Sequence, residues 1–268
     1  MDFSVKDFNV RLRTIRFLDM AIAIIIAFIL TAFTAGYLNI DSGEVEYIIF
    51  FVYMMVFFAI ASYGTRGFTK DIEDISKPSN IFKILMIVIP NMTFAFFIQA
   101  YLSGFDSMFN YINLLAIPLS DIAFDIYDPL LFIIEFFSAV IIAPISEELF
   151  FRGVLFNRLK INKGVIFALV VSSIIFGLCH INYPDHLAHV IYTCLFGMCL
   201  CILYLRTDNL LLNMVAHSLY NFLSYIIVYT PIGGLFLGGP FTEITAIVFM
   251  FSVVFVPIYI IYFAFKLK

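Results

Sequence analysis

Ser146-Glu147-Glu148-Leu149-Phe150-Phe151-Arg152-Gly153 follows directly on an apolar run from 129 to 145, with no loop-like segment between the two. Two adjacent carboxylates and an arginine at membrane depth are costly, so they require partners or water. At helical spacing Glu148 and Arg152 are i and i+4, share a face and can pair. Glu147 lies about 100° further round the helix, with no basic residue one turn away. Arg152 is read as neutralising one carboxylate and leaving the other free to carry protons, which makes this run the seed of an active site.

The surrounding chain has the composition of a membrane protein. Of 268 residues, 63% are hydrophobic and 13% are charged, with a mean hydropathy of +1.05. No soluble domain of this size needs that much apolar surface, so the expectation is an all-α, polytopic transmembrane helical bundle. Spans are expected at 17–37, 47–63, 81–102, 129–157, 164–180, 186–205, 209–229 and in a last segment ending near Lys266. That makes about eight helices in a single integral membrane domain, 1–268. Basic residues mark the inner turns: Lys6, Arg11, Arg13 and Arg16, then Arg66, Lys70, Lys77 and Lys83, then Arg158, Lys160 and Lys163, then Arg206, and finally Lys266 and Lys268. By the positive-inside rule both termini are cytoplasmic. The loop with Asp41, Glu44 and Glu46 is an outer one, 103–128 is acidic and interfacial, and 231–240 is a glycine-rich outer loop.

Several classes are excluded or disfavoured. The first span lacks a small-residue cleavage site and reads as an anchor. The 15 basic residues sit at segment ends and form no patch, so there is no nucleic-acid signal. Cys179, Cys194, Cys199 and Cys201 fall inside apolar runs without zinc spacing, which favours packing over disulfides or metal. The Ile-, Phe-, Tyr- and Asn-rich composition inclines towards a bacterial cytoplasmic membrane.

Two further stretches carry chemistry. Asn209, Asn213, His217 and Asn221 recur every four residues, drift about 40° per step and form one slanting polar stripe. One such residue is ordinary interhelical glue; four in register point to a wet cavity, with a hydrogen-bonded seam as the structural alternative. On the fifth span Gly164, Ala168 and Ser172 form a small-residue row that continues through Phe176 to His180. Small residues let a neighbouring helix approach, so His180 faces that neighbour. His186 and His189 read as interfacial. Pro144 removes a backbone donor and clashes with the carbonyl of Val140, loosening the turn before Glu147.

A carboxylate shielded from bulk water suits a general base near neutral pH, and a neutral imidazole can hold a water or ligate a metal. An amide such as Asn221 can donate to an oxyanion. Water activation against a carbonyl fits this set. No serine shows a nucleophile-elbow motif, and no H-E-x-x-H is present.

Glu147-Glu148-x-x-x-Arg152, Phe176-x-x-x-His180 and His217-x-x-x-Asn221 resemble, in order, the three motifs of the CAAX-protease and bacteriocin-processing (CPBP, or Abi) intramembrane proteases. The resemblance covers roughly 129–229. It implies that Glu147 activates a water with His180, that His217 and Asn221 stabilise the oxyanion, and that Glu148 and Arg152 complete and orient the site. It also leaves two mechanisms open, metal-dependent and glutamate-only; two histidines and two glutamates are enough donors for Zn2+. The substrate it implies is a peptide precursor or a membrane-bound protein tail, with the site opening to the cytoplasmic side.

One geometric tension accompanies this set. Counted from Arg158 and Arg206, Glu147 and His217 both lie about 16 Å deep, whereas His180 counted from Lys163 lies about 25 Å deep. A bend in the fourth span would reconcile them. The competing readings are a cation or proton transporter and a non-catalytic binding protein of the same fold; no inverted repeat supports the first.

Overall fold

The computed structural model describes residues 1–102, 129–181, 186–229, 235 and 240–266. Among them the chain is helical throughout, without a named strand. Ten helices follow one another: α1 (Phe8–Thr14), α2 (Phe17–Leu38), α3 (Gly43–Ser62), α4 (Phe68–Ile75), α5 (Pro78–Leu102), α6 (residues 129–163), α7 (Val165–Leu178), α8 (His186–Thr207), α9 (Leu210–Tyr229) and α10 (Thr242–Lys266). Six of them, α2, α3, α5, α8, α9 and α10, are long and apolar enough to cross a membrane, and α7 is a shorter apolar helix. With α6 these are the eight apolar segments expected, in a multi-pass helical bundle. The expected interfacial segment 103–128 and most of the glycine-rich loop lie outside the described residues.

Local chemistry sets the helix ends. Ser42 accepts from the Val45 amide and caps α3. The helix therefore starts at Gly43, earlier than the pattern implied. Asn209 accepts from the Leu212 amide and caps α9. Gly164, at φ +88°, turns the chain between α6 and α7. Gly164 is exposed and so is not part of the small-residue contact expected of it; Ala168 and Ser172 are buried. Gly177 supplies the close approach instead. A Cβ there would lie 2.2 Å from Cys194 Sγ and 2.7 Å from the Val190 carbonyl of α8.

The small-residue principle also docks α2. Its buried face is Met20, Ala23, Ala27, Thr31 and Ala35, while most of its Ile and Phe side chains are exposed.

Two short helices fall where loops were expected, and α1 is the more consequential. Phe8, Leu12 and Ile15 are buried among the spans. Arg11, read from sequence as an inner-side charge, is itself buried and donates to the Val5, Phe3, Ala61 and Tyr63 carbonyls, those of Ala61 and Tyr63 at the end of α3. Asn9 donates to Asp71 of α4, which burial raises above the usual carboxylate range. Arg13 pairs with Asp208 at the α8–α9 turn, and Arg158 donates to the Ile15 carbonyl. Leu12 Cδ1 comes within 3.1 Å of the Cβ position at Gly153, the residue after Arg152. The end of the bundle bearing the basic residues is therefore filled by the amino-terminal segment.

Candidate active site

The helix that carries the two glutamates is not a uniform α-helix. Wide π turns run over Ser138–Ile142 and Leu149–Phe156 and flank the α-helical Ala143–Glu148. Pro144 accounts for the first. Its ring cannot sit against the carbonyl one α-turn back, and the neighbouring amide of Ala143 reaches five residues back to Ser138. In that register the partner of the Ala139 carbonyl would be the nitrogen of Pro144, which has no hydrogen. Asn221 of α9 supplies the missing donor, Nδ2 to the Ala139 oxygen at 2.7 Å. The expected loosening at Pro144 is thus present, and it determines where Asn221 is held. Such π turns recur at functional sites.

Glu148 and Arg152 pair as their spacing required. Arg152 Nη1 donates to Glu148 Oε1 at 2.6 Å, Nη2 donates to the Gly197 carbonyl at 3.1 Å, and the guanidinium lies 4.7 Å from the Phe176 ring centroid. Both side chains are fully enclosed. The other donors to Glu148 come from α9: His217 Nδ1 to Oε1 at 3.0 Å and Asn213 Nδ2 to Oε2 at 3.2 Å. Asn213 Nδ2 also donates to the Leu200 carbonyl at 2.8 Å. Glu148 therefore accepts at both oxygens inside an enclosed cluster, as a buried carboxylate must.

Glu147 differs from its neighbour. Its side chain is 14% exposed while that of Glu148 is at 0%, and Oε2 lies 3.8 Å from His217 Nε2. That is too long for a direct hydrogen bond and within reach of one bridging water. A carboxylate can only accept, so in the neutral ring the His217 proton sits on Nδ1 and the Nε2 lone pair faces Glu147.

His180 lies just beyond the end of α7, in a turn closed by its own amide on the Gly177 carbonyl. The helix stops at Leu178, two residues earlier than expected. Its Nδ1 donates to the Phe176 carbonyl at 2.8 Å, one of the acceptors a helix end leaves unpaired, so Nε2 again carries the lone pair. His180 reaches the cluster through Phe176, whose ring lies 4.8 Å from the His180 ring and 5.8 Å from that of His217. Thus Glu147, Glu148, Arg152 and His217 share one network, Asn221 is bonded onto the glutamate helix, and His180 joins across Phe176.

Two participants were missed from sequence. Asn213 stood in the polar stripe but not in the candidate set, and it completes the shell of Glu148. His189, read as interfacial, stacks parallel to His180 at 5.8 Å with Tyr192 OH 2.6 Å from its Nδ1; no periodicity on α8 signals that contact. Among the described residues no group of three or more His, Cys, Asp or Glu is placed to hold a metal ion. Glu148 is engaged elsewhere, since Arg152, His217 and Asn213 already donate to its two oxygens.

The fold and this cluster define a multi-pass membrane protein whose chemistry is concentrated in buried glutamate, histidine and asparagine side chains. Residues 129–223, the motif-bearing segment, match the family described as type II CAAX prenyl endopeptidase Rce1-like. Over 92 residues the chain is 32% identical to YdiL of Bacillus subtilis (strain 168), which carries the name of a membrane peptidase. That match covers 34% of this chain and 36% of YdiL, so the chain spans about a third of the length of that relative. No solved structure matches at a significant level.

Proposed function

We propose that this protein is an intramembrane endopeptidase in which Glu147 activates a water against the carbonyl of a peptide or membrane-protein substrate. One observation carries the proposal: Glu147 Oε2 and His217 Nε2 face each other at 3.8 Å, with His217 held from behind by the buried Glu148. A water held between them gives one proton to the Glu147 carboxylate as its oxygen attacks the carbonyl carbon. The oxyanion so formed accepts from the second N–H of Asn221. It also accepts from Nε2–H of His217 whenever the imidazole is doubly protonated, a form that Glu148 faces with an opposite charge. Collapse breaks the C–N bond, and the amine leaves with the proton from Glu147. The family match over 129–223 supports the reaction class, and a precursor peptide or a membrane-bound tail suits a site at this depth.

The transporter reading finds less support. Towards the basic end the described residues are tightly packed, with Val154, Phe156, Leu203 and Leu210 at or near zero exposure, and the sequence carries no inverted repeat. The test is cleavage of a peptide library by purified wild type and the Glu147→Gln variant. Loss of a general base costs about 10²–10⁴ in rate, with thermal stability little changed. Equal turnover by the two proteins refutes the proposal.

A further inference from the structure

Helix α8 carries none of the three motifs, yet Phe196 and Gly197 near its middle reach into the glutamate cluster. The Gly197 carbonyl accepts from Arg152 Nη2 at 3.1 Å. A Cβ at Gly197 would lie 3.1 Å from Phe176 Cδ1 and 3.3 Å from Ser173 Cβ, both on α7, so the missing side chain lets α8 lie this close. Phe196, the residue before it, is 2% exposed and packs against α9. Its ring stands nearly perpendicular to the His217 imidazole, with centroids 5.5 Å apart at 82°. The same ring stacks on Tyr220 at 4.3 Å and 24°. His217 and Tyr220 are three residues apart and so neighbours on one face of α9.

The contact matters because of how His217 is held. The hydrogen bond from Nδ1 to Glu148 Oε1, at 3.0 Å, fixes one corner of the imidazole. A ring held at one corner can still swing, and its far nitrogen, Nε2, then sweeps an arc. The 3.8 Å between Nε2 and Glu147 Oε2 therefore depends on what packs against the ring. Two aromatic rings do so, Phe176 of α7 at 5.8 Å and 76°, and Phe196. Near-perpendicular contact is a preferred geometry for such pairs. Phe176 is also committed to Arg152, whose guanidinium lies 4.7 Å from its centroid. Phe196 is keyed instead, through Tyr220, to the helix that carries the imidazole.

We propose that Phe196 is a positioning residue for hydrolysis: it holds the His217 ring in the plane that aims Nε2 at the water beside Glu147, and so acts through His217 rather than on the substrate. This rests on the hydrolytic reading for its chemistry. A phenylalanine buried for its area alone would affect stability. One that sets the aim of a catalytic imidazole affects rate as well, since a misplacement of about 1 Å can cost about 10²-fold.

Phe196→Leu keeps an apolar side chain in place and removes the ring. Phe156→Leu, at a fully buried phenylalanine of α6 packed on Tyr204, is the matched core loss. Both are compared with the wild type on a peptide that the solubilised wild type cuts. The expected result is a kcat lowered by about tenfold or more in Phe196→Leu with KM unchanged, while Phe156→Leu keeps the wild-type kcat even where it loses as much thermal stability. NMR of isotope-labelled histidine gives the second readout, with the His217 signals assigned by their loss in His217→Gln. The neutral wild-type ring should show the Nδ1–H tautomer. In Phe196→Leu its signals should broaden or move towards a mixture of tautomers, and in Phe156→Leu they should stay. Unchanged His217 signals in Phe196→Leu, a loss of kcat no larger than that of Phe156→Leu, or a loss carried by KM alone each overturn the proposal. If the wild type cuts no peptide, hydrolysis fails as the reaction, and the imidazole signals still decide whether Phe196 fixes the ring.

Discussion

Among the described residues Asn221→Ala removes the side-chain donor on the Ala139 carbonyl, and the structure indicates when that loss should matter. The carbonyl is orphaned because Pro144 has no N–H in the π register of Ser138–Ile142. Leaving a buried acceptor unpaired costs about 1–3 kcal/mol. In a Pro144→Ala background the backbone recovers that donor, so the cost of Asn221→Ala should shrink, with a coupling of roughly 1–2 kcal/mol between neighbours that share one acceptor. Unfolding in mixed micelles by increasing SDS, followed for the wild type, both single variants and the double, reads this directly. Turnover separates the second role. If the other N–H of Asn221 serves the oxyanion, the double variant recovers stability and stays impaired by about 10²–10³ in rate. Stability costs that simply add would refute the orphan-carbonyl account, and recovery of turnover in the double would refute the oxyanion role.

Arg152→Gln leaves Glu148 charged and enclosed without a cation and should cost about 3–5 kcal/mol; Glu148→Gln/Arg152→Gln together should cost much less than the sum, and additive costs from SDS unfolding would mean the pair is hydrated. Gly177→Ala drives a Cβ into Cys194 and the Val190 carbonyl, forcing α7 from α8 at about 1–3 kcal/mol and displacing His180, so melting temperature and turnover should both fall. Gly36→Ala, with nothing within 4 Å of the added Cβ, should be neutral or stabilising by up to about 1 kcal/mol, and a large loss there would discredit the comparison. Asn213→Ala strips a donor from both Glu148 and the Leu200 carbonyl; about 1–3 kcal/mol of stability and a measurable share of turnover should go with it, whereas unchanged kinetics would leave Asn213 as packing alone.

The parts of this fold legible in sequence are those governed by a period along one helix. Apolar runs of span length, the i and i+4 pairing of Glu148 with Arg152, and the stripe from Asn209 to Asn221 all need only the helical repeat. What each member of the stripe does depends on what stands opposite. Asn209 turns out to cap α9 and to donate to the Asp71 carbonyl, Asn213 and His217 hold Glu148, and Asn221 repairs the backbone at a proline. The stripe therefore contains elements of both readings weighed for it: three members engage structural acceptors, and only His217 presents a free nitrogen lone pair to Glu147. The same limit hid α1, since a basic residue near a first span reads as a topology marker whether it lies in water or, like Arg11, is buried against carbonyls.

The glutamate pair shows why a membrane site must be built in this way. Adjacent residues on a helix face about 100° apart, so one of two neighbouring glutamates can turn to the core while the other meets a cavity. Glu148 takes the core position, where it is held by Arg152, His217 and Asn213. Such an ion cluster contributes little net stability, but it fixes the ring of His217 and spends the local positive charge on Glu148 rather than Glu147. Glu147 is then the carboxylate left able to exchange a proton with a water. The distortion at Pro144 and the wide turn after Glu148 bound this arrangement on either side along the helix.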